Sequence, residues 1–461
     1  MSTNIYQLSP NLRIITDARS GSAMVYHTLY GNPRLVNDDG LSFLNLFKKP
    51  IGISEINSSC DGDPTDLIED FAKLFFLVEP SQDERALLDV WKSRYLADFG
   101  EGKTVNRIGL AISDACNFGC KHCMHLQPLN RTNPGLSAYR RPTAQLNMTW
   151  EMAKKCVDRY VSLARRHGGA LCRIHFGNAE PLLNWPVLDM VLRYCSGITD
   201  LAFDFAVNTN LSLMSRDMAK ELKAFRVRIA TSLDGMPEAN DAIRITKGGQ
   251  GTFSTITDHI DMLSDIGYPL DGFSITVTKT NFDLIGTDII EWARDRNMTS
   301  MAFDYDLVDL VDIPVDERVE KLMRLKKYAN KLGMDFFGTW DTAFRNLMDE
   351  SELADNRAFC AAVGGKSLEF NVDGTVKVCS HLTGRIGHVD QFDQLFANDG
   401  ALFELVADRF PGTDKRCVGC AIEGLCAGQC HVTREAETRF VKKRHCRLFD
   451  DMCGFYRAID Q

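Results

Sequence analysis

Several features that would place this 461-residue chain in other protein classes are missing from its sequence. No stretch approaches 18 consecutive apolar residues, which argues against a transmembrane helix and a membrane partner. The opening sequence MSTNIYQLSPNLR has neither a basic nor an apolar signal segment, so we expect a cytoplasmic protein. Positive charge is not in excess, because 53 Lys and Arg stand against 62 Asp and Glu, a net charge of −9. This balance argues against a nucleic-acid partner.

What the sequence has in quantity is cysteine, with 15 in one chain. In a small secreted domain this number would indicate a disulfide framework. Because the chain is long and shows no export signal, metal binding or catalysis is the favoured use, with a disulfide scaffold as the alternative. Four cysteines belong to no motif and are predicted to be buried packing residues: Cys60, Cys156, Cys172 and Cys195.

The length fits about three domains, and the chain divides into three stretches of different character. Residues 1–98 combine short strands with three helices, which predicts a small α+β module of winged-helix type. Its first helix, at about 39–48, is expected to be capped by Asp38 or Asp39. Residues 104–310 alternate regularly between strand and helix. Residues 311–461 contain two bridging helices and then a loop-rich region with eight of the cysteines.

The regular alternation predicts six parallel strands with outer helices, either in a doubly wound sheet or in a partial barrel. The predicted strands are Arg107–Ile112, Cys172–Phe176, Leu201–Val207, Val227–Ser232, Phe273–Thr278 and Ser300–Tyr305. In both architectures ligands bind at the carboxyl ends of the strands.

The first cysteine motif, Cys116-x3-Cys120-x2-Cys123, directly follows the first of these strands. Three thiolates on one tight loop can hold three corners of a cubane iron–sulfur cluster, leaving the fourth iron open to an external ligand. Zinc is the alternative, with His122 or His125 as a fourth ligand.

A C-x3-C-x2-C motif after the first strand of a six-fold β/α array resembles the radical S-adenosylmethionine (SAM) superfamily. The resemblance implies a partial (β/α)6 TIM-type barrel. It also implies that SAM chelates the open iron and that one electron from the cluster cleaves it to methionine and a 5′-deoxyadenosyl radical, which abstracts hydrogen from the substrate. The cofactors supply this chemistry, and the protein positions them.

The ends of the next two strands also resemble the family. Glu180 matches the carboxylate of its Gly-Gly-Glu-Pro segment, which binds the methionine amino group, although Asn178 and Ala179 replace both glycines. Asn208 and Asn210 match the family's turn beside the ribose.

Further matches follow the fourth strand. Ser232 and Asp234 lie in a segment that resembles the family's Ser-Leu-Asp-Gly, and Arg244 matches the arginine that often reaches the SAM carboxylate. His122 occupies the usual aromatic position before the third cysteine, where it can stack on adenine. The resemblance therefore implies that all these residues bind SAM.

The C-terminal cysteines form a second constellation: Cys360-x13-Gly374-x4-Cys379, Cys417-x2-Cys420-x5-Cys426-x3-Cys430, and then Cys446. By itself the C-x2-C element fits a zinc knuckle as readily as an iron–sulfur site. With the upstream motif it resembles the seven-cysteine SPASM domain, which carries two auxiliary 4Fe–4S clusters. Together with the SAM cluster, this gives three 4Fe–4S clusters.

The SPASM pattern implies a ligand set for each auxiliary cluster. Cys360, Cys379 and Cys430 would bind auxiliary cluster I, and Cys417, Cys420, Cys426 and Cys446 would bind auxiliary cluster II. Cluster I then has an open iron or a ligand other than cysteine. Cys453 is the rival candidate for this position.

SPASM-bearing radical SAM enzymes mostly modify peptides or proteins. The N-terminal stretches Tyr26–Tyr30, Leu35–Gly40 and Phe75–Val78 resemble the leader-recognition domain of ribosomal-peptide maturases, which adds an extended leader to a sheet edge. A cap that only packs on the barrel is the alternative. The implied function is oxidative C–C or C–S cross-linking of a ribosomally made precursor peptide, with electrons from a donor such as flavodoxin or ferredoxin.

Two other functions remain open. Anaerobic sulfatase maturases share the cluster pattern but place a catalytic Asp directly after the Gly-x4-Cys cysteine, where this chain has Ser380. The second of these other functions is that of a non-catalytic peptide-binding scaffold. For a cross-linking reaction, Asp304 and Asp306 share a face of the sixth strand and are candidate proton acceptors, with capping of a neighbouring segment as the alternative.

Overall fold

The computed structural model describes residues 5–16, 22–58, 62–123, 147–306, 313–348, 358–380, 385–428 and 430. These residues form a mixed α/β fold. The strands are β1 Ile5–Leu8, β2 Leu12–Thr16, β3 Ser22–His27, β4 Gly31–Asn37, β5 Ile51–Gly52, β6 Leu77–Val78, β7 Arg107–Ser113, β8 Leu171–Asn178, β9 Ala202–Asn208, β10 Arg228–Ala230, β11 Gly272–Val277, β12 Ser300–Tyr305, β13 Asp335–Phe337, β14 Ser367–Phe370, β15 Thr375–Lys377 and β16 Arg385–His388. The helices are α1 Asp38–Leu46, α2 Ile53–Asn57, α3 Thr65–Lys73, α4 Ala86–Gly100, α5 Trp150–Arg166, α6 Trp185–Ser196, α7 Arg216–Ala224, α8 Pro237–Ile243, α9 Phe253–Asp265, α10 Asp288–Arg294, α11 Val315–Lys331, α12 Thr342–Met348, α13 Ala401–Asp408 and α14 Glu423–Cys426.

The N-terminal module contains two small antiparallel sheets, ordered β5-β1-β6 and β2-β3-β4. Helices α1 and α3 pack on them through a core that includes Val25, Leu44 and Ile68. The cap of α1 is Asn37, whose side chain accepts a hydrogen bond from Gly40 N at 2.9 Å. The predicted cap at Asp38 or Asp39 is therefore wrong by one or two positions, because the first turn already begins at Asp38.

The six strands predicted from the alternating pattern are present, and each begins within one residue of its predicted start. Strands β7 to β10 lie in the central seven-stranded sheet, and β11 and β12 lie with β13 in a separate three-stranded sheet. Strands β7, β8, β9 and β10 are parallel neighbours in chain order. A parallel bridge between Ser232 and Ser274 leads on to β11, which pairs in parallel with β12. From β7 to β12 the order therefore contains no reversal of the kind that defines a doubly wound sheet.

The cysteine-rich region adds strands to the other edge of this sheet. Strand β14 pairs in parallel with β7, and β15 and β16 continue as an antiparallel extension. One face of these strands is apolar and packs against the helices through residues such as Leu110, Phe176 and Leu368, each 0% exposed. Because side chains alternate along a strand, the residues between them lie on the opposite face, here called the interior face.

The N-terminal module also contacts the cysteine-rich region directly. The Gly424 N–H donates to the Thr28 carbonyl at 2.9 Å, and a Cβ atom at Gly424 would lie 2.0 Å from the Leu29 oxygen, so only glycine permits this approach. Arg85 forms an ion pair of 2.8 Å with Glu423, whose side chain is fully buried. The two ends of the described chain are thus packed together.

The structure also bears on the predicted packing cysteines and on the absence of a transmembrane helix. Cys156, Cys172 and Cys195 are each 0% exposed within the main apolar core, which confirms them as packing residues, whereas Cys60 lies outside the described residues. In the described parts of the chain, no helix combines the length and the apolar character that crossing a membrane would require.

Candidate active site

The first cysteine motif forms a loop that leaves the carboxyl end of β7 and is fixed to the segment after α8. The Gly119 and Lys121 N–H groups donate to the carbonyls of Ile245 and Ile243, both at 2.8 Å. A Cβ atom at Gly119 would lie 3.2 Å from the Thr246 carbonyl oxygen, which is tighter than ordinary packing. Backbone contacts therefore anchor the loop that carries the three cysteines.

The thiols of this loop lie in a partly buried environment that contains hydrogen-bond donors. Burial raises the pKa of Cys116, and it raises the pKa of Cys120 to about 11, although the neighbouring Arg244 acts in the opposite direction. Asn210 Nδ2 lies 3.8 Å from Cys116 Sγ, and Arg244 Nη1 lies 3.8 Å from Cys120 Sγ. Cysteine binds a metal as the thiolate, and the positive charge of bound iron would favour this ionised form. Hydrogen-bond donors directed at the sulfurs also tune the reduction potential of an iron–sulfur cluster. The donor set therefore fits an iron–sulfur cluster.

A mononuclear metal site is the alternative that the sequence motif allows. Within the ranges that the structure describes, no three His, Cys, Asp or Glu side chains are arranged to hold a single ion. A cubane cluster does not need such convergence, because each thiolate binds a different iron. His122 Nε2 faces Arg244 Nη2 at 3.4 Å and Asp234 Oδ2 at 3.7 Å, and His125 lies outside the described residues.

Glu180 follows β8 and ties this strand end to the end of β9. Its carboxylate is 0% exposed and accepts hydrogen bonds from Leu182 N at 3.0 Å, Thr209 Oγ1 at 2.7 Å and Asn210 N at 2.8 Å. Burial raises the pKa of Glu180, against the effect of these three donors. The carboxylate thereby positions the Thr209–Asn210 turn, and its contact with a methionine amino group stays a prediction.

We expect Glu180→Ala to lower the free energy of unfolding by at least about 2 kcal/mol, because it leaves three buried donors without an acceptor, at a cost of ~1–3 kcal/mol each. Urea denaturation followed by circular dichroism measures the change. Glu320→Ala is the matched control, since Glu320 is exposed on α11. Equal stabilities of the two variants would show that the Glu180 hydrogen bonds contribute nothing.

Asp234 and Arg244 form a buried ion pair beside the cysteine loop. Asp234 is 0% exposed, and its Oδ2 accepts from Arg244 Nε at 2.8 Å while its Oδ1 accepts from Thr276 N at 2.8 Å. Arg244 is only 8% exposed and directs its remaining nitrogens toward Cys120 and His122. Three residues predicted to bind SAM therefore meet at one of the three motif cysteines.

The remaining predicted SAM residues lie at the same edge of the sheet. Asn208 is the exposed last residue of β9, and Ser232 is half-buried just after β10. Asn210 donates to Asn117 Oδ1 at 2.9 Å, inside the cysteine motif. The structure therefore gathers these residues at the carboxyl ends of parallel strands, where ligands bind in such sheets.

The two carboxylates suggested as proton acceptors end the sixth strand of the array. Asp304 Oδ1 accepts hydrogen bonds from Thr339 N at 2.6 Å and Thr339 Oγ1 at 2.7 Å, so this side chain caps the segment after β13. Asp306 is half-buried just after β12, and its N–H donates to the Val277 carbonyl at 2.7 Å. Asp304 therefore caps a neighbouring segment, which was the alternative to its role as a proton acceptor.

Sequence reasoning missed parts of the site. Helix α8 carries Arg244 at its C-cap, and Pro237 at the first helical position was the signal that could have revealed it. Asn117, which bonds to both Asn210 and Ser212, had no signal beyond its position inside the cysteine motif.

The second cysteine constellation is only partly described. Cys417, Cys420 and Cys426 lie on successive tight turns, with Cys420 N donating to the Cys417 carbonyl at 2.8 Å, and each is half-buried. Of the other predicted ligands, Cys360 is exposed and Cys379 and Cys430 are half-buried. Cys446 and Cys453 lie outside the described residues.

Comparison with known proteins agrees with this site. A family model described as the radical SAM superfamily matches residues 110–283, which include the cysteine motif and the Asp234–Arg244 pair. The radical SAM cyclopropyl synthase TigE of Paramaledivibacter caminithermalis is 23% identical over 420 residues, which cover 89% of this chain and 86% of TigE.

Two solved structures share the fold. The structure of native anSMEcpe with bound AdoMet aligns with a TM-score of 0.58 at 17% identity, over 77% of this chain and 98% of that one. Streptococcus suis SuiB bound to the precursor peptide SuiA aligns with a TM-score of 0.53 at 14% identity, over 94% of this chain and 98% of SuiB. Residues 110–283 therefore form a radical SAM domain, and the chain that carries it is an enzyme.

Proposed function

We propose that this enzyme is a peptide maturase that forms an oxidative cross-link, most simply a C–C bond, in a ribosomally made precursor. The similarity to TigE over most of both chains carries this proposal, because closing a cyclopropyl ring forms a C–C bond with loss of hydrogen. The SuiB alignment supports a peptide substrate, since it covers 94% of this chain and SuiB was solved with its precursor peptide. A C–S bond is the other cross-link that the chemistry allows.

In this proposal Cys116, Cys120 and Cys123 would hold a 4Fe–4S cluster, and Glu180, the asparagines after β9 and Arg244 would bind SAM. When bound there, the cluster and SAM would supply the 5′-deoxyadenosyl radical needed to abstract a substrate hydrogen atom. The chain contributes fixed donors: Asn210 and Arg244 direct N–H groups at two of the sulfurs. A positive guanidinium beside a thiolate stabilises the negative charge that ligation requires.

The proposed enzyme has three domains, residues 1–98, 104–310 and 311–461. The second domain is a partial (β/α)6 barrel, and the third contains a SPASM domain with two further 4Fe–4S clusters. The sheet β2-β3-β4 is the proposed leader site, because β2 and β4 are its edges. Ile14 on β2 is 38% exposed and Leu35 on β4 is 51% exposed, so apolar side chains lie at both edges. An extended peptide can add to such an edge through backbone hydrogen bonds.

Reconstitution tests this function directly. With SAM, a reductant or flavodoxin, and the precursor peptide, we expect 5′-deoxyadenosine and a peptide lighter by two hydrogen atoms, measured by mass spectrometry. Iron analysis should give about 12 iron atoms per chain for three cubanes. A peptide of unchanged mass would contradict cross-linking, and absence of 5′-deoxyadenosine would indicate a scaffold.

The same experiment separates this function from sulfatase maturation. The chain has Ser380 where the sulfatase maturases have their catalytic Asp, so we expect no formylglycine from a Cys- or Ser-containing sulfatase peptide. Formation of formylglycine would overturn the proposed substrate class.

A further inference from the structure

A carboxylate lies on the interior face of the central sheet at a position that the proposed SAM site does not use. Glu369, on β14, pairs with Gly109 on β7 and with Lys377 on β15. A Cβ atom at Gly109 would lie 1.8 Å from Glu369 Oε2 and 2.4 Å from its Cδ. The carboxylate thus occupies the space that a side chain on β7 would fill, so glycine at position 109 permits its placement.

Glu369 is accessible from the side of the sheet opposite the helices. Its neighbours Leu368 and Phe370 are each 0% exposed and belong to the helix-packed core, whereas Glu369 is only half-buried. It is also the second-last residue of β14, which runs parallel to β7. Its partner Gly109 lies four residues before the end of β7, so Glu369 faces the interior of the sheet below the strand end that carries the cysteine loop.

The titratable groups around Glu369 come from three strands. Arg107 lies two residues before Gly109 on the same face of β7, His175 pairs with Gly109 from β8, and Lys377 pairs with Glu369 from β15. Arg107 Nε is buried and has no hydrogen-bond partner among the described residues, as expected of a donor beside a ligand site.

The environment of Glu369 gives it an acid–base range useful near neutrality. Burial raises the pKa of Glu369 to about 7, although Arg107 and Lys377 act in the opposite direction. Burial lowers the pKa of His175, so this neighbour is neutral near pH 7. A proton acceptor works best when its pKa lies near the operating pH.

We propose that Glu369 is the catalytic base that accepts the substrate proton during oxidative bond formation. This role rests on the proposed function. One substrate C–H bond breaks by transfer of a hydrogen atom to the deoxyadenosyl radical, and a second X–H bond breaks as Glu369 takes its proton. The remaining electron passes to an oxidised iron–sulfur cluster as the new bond closes, so the peptide loses two hydrogens in total.

Three carboxylates at the strand ends accept hydrogen bonds within the protein. Asp304 accepts two hydrogen bonds from Thr339, and Asp234 is paired with Arg244 and Thr276. Glu180 accepts three hydrogen bonds within the protein. Glu369 instead combines partial accessibility with a raised pKa.

Glu369→Gln tests the role, because it keeps the size of the side chain and removes its ionisation. We expect 5′-deoxyadenosine formation within about threefold of wild type. Modified peptide formed per 5′-deoxyadenosine should fall about 100-fold or more, the usual contribution of a general base. In the wild type this ratio should rise with pH through about 7, since only the ionised carboxylate accepts a proton, and the variant should show no such rise. Gly109→Ala, which displaces the carboxylate without removing it, should also lower the ratio.

A stability measurement distinguishes this role from a structural one. Burial disfavours ionised Glu369, so the penalty accumulates as pH rises from the ordinary glutamate range to about 7. Glu369→Gln should therefore raise the melting temperature at pH 8 by about 2–4 °C and by less at pH 5. A lower melting temperature at both pH values would indicate a structural carboxylate and would overturn the proposal.

Control measurements distinguish failure of the Glu369 base role from failure of the proposed peptide-maturase function. Glu320→Gln, on the exposed surface of α11, should leave yield, pH profile and stability unchanged. Product yields of Glu369→Gln equal to those of wild type would overturn the base assignment while leaving peptide maturation intact. A wild-type enzyme that forms 5′-deoxyadenosine without modifying any peptide would instead overturn the proposed function, and the base role with it.

Discussion

Cys120→Ser is expected to abolish reductive cleavage of SAM, with 5′-deoxyadenosine reduced to the level of an enzyme-free control. Cys120 is the most buried of the three cysteines in the first motif, at 7% exposure, and it lies beside Arg244. Serine is a poor ligand for a soft iron–sulfur cluster compared with cysteine. Loss of one ligand should remove the whole cubane and lower the iron content by about four atoms per chain.

Cys195→Ser is the matched control for this experiment. Cys195 is 0% exposed in the apolar core on α6 and belongs to no motif. Its replacement should lower stability modestly and leave both the iron content and SAM cleavage unchanged. A Cys120→Ser enzyme with wild-type iron and full SAM cleavage would contradict the assignment of this loop as the cluster site.

Asp234→Ala should lower the free energy of unfolding by about 3–5 kcal/mol, the usual cost of removing one partner from a buried ion pair. The variant leaves Arg244 without its carboxylate at 8% exposure and leaves the Thr276 N–H without its acceptor. The freed guanidinium would also move relative to Cys120, so cluster retention should fall together with stability. Urea denaturation and iron analysis measure the two effects.

An exposed ion pair serves as the comparison. Asp200 accepts two hydrogen bonds from Arg165, at 2.7 and 2.8 Å, but both side chains are about half exposed to water. Asp200→Ala should therefore lower the stability much less than Asp234→Ala does, despite its good geometry. If the two variants lose the same stability, burial does not determine the strength of the Asp234–Arg244 pair.

Local sequence patterns predicted the central strands well, because the apolar residues of a strand or helix repeat with the period of that element. The motif from Cys116 to Cys123 was equally readable, since its function depends on short-range spacing. Local signals misplaced the cap of α1, where Asn37 rather than the following aspartates accepts the bond from Gly40. Three adjacent residues that can all cap a helix make that choice ambiguous from sequence alone.

Long-range pairing explains most of what sequence reasoning missed. The alternation Ser-Leu-Glu-Phe around Glu369 indicates a strand with one polar face, but nothing near it in sequence indicates that β14 pairs with β7. The same holds for Asp304, whose partner Thr339 lies 35 residues away across a separate strand. Such pairings depend on the packing of whole elements, which residue spacing within one element does not encode.

The contact between Gly424 and the Leu29 backbone has a consequence for synthesis of the protein. Tyr26 hydrogen-bonds to the Ala421 carbonyl, a partner made 395 residues later. At a translation rate of about 5–20 residues per second, the N-terminal module waits about 20–80 s for this surface. Met24 and Tyr26, almost completely buried in the finished protein, face water or a chaperone during that interval. Docking of the first module is therefore a late event on the ribosome, and it requires the cysteine-rich turns to be present.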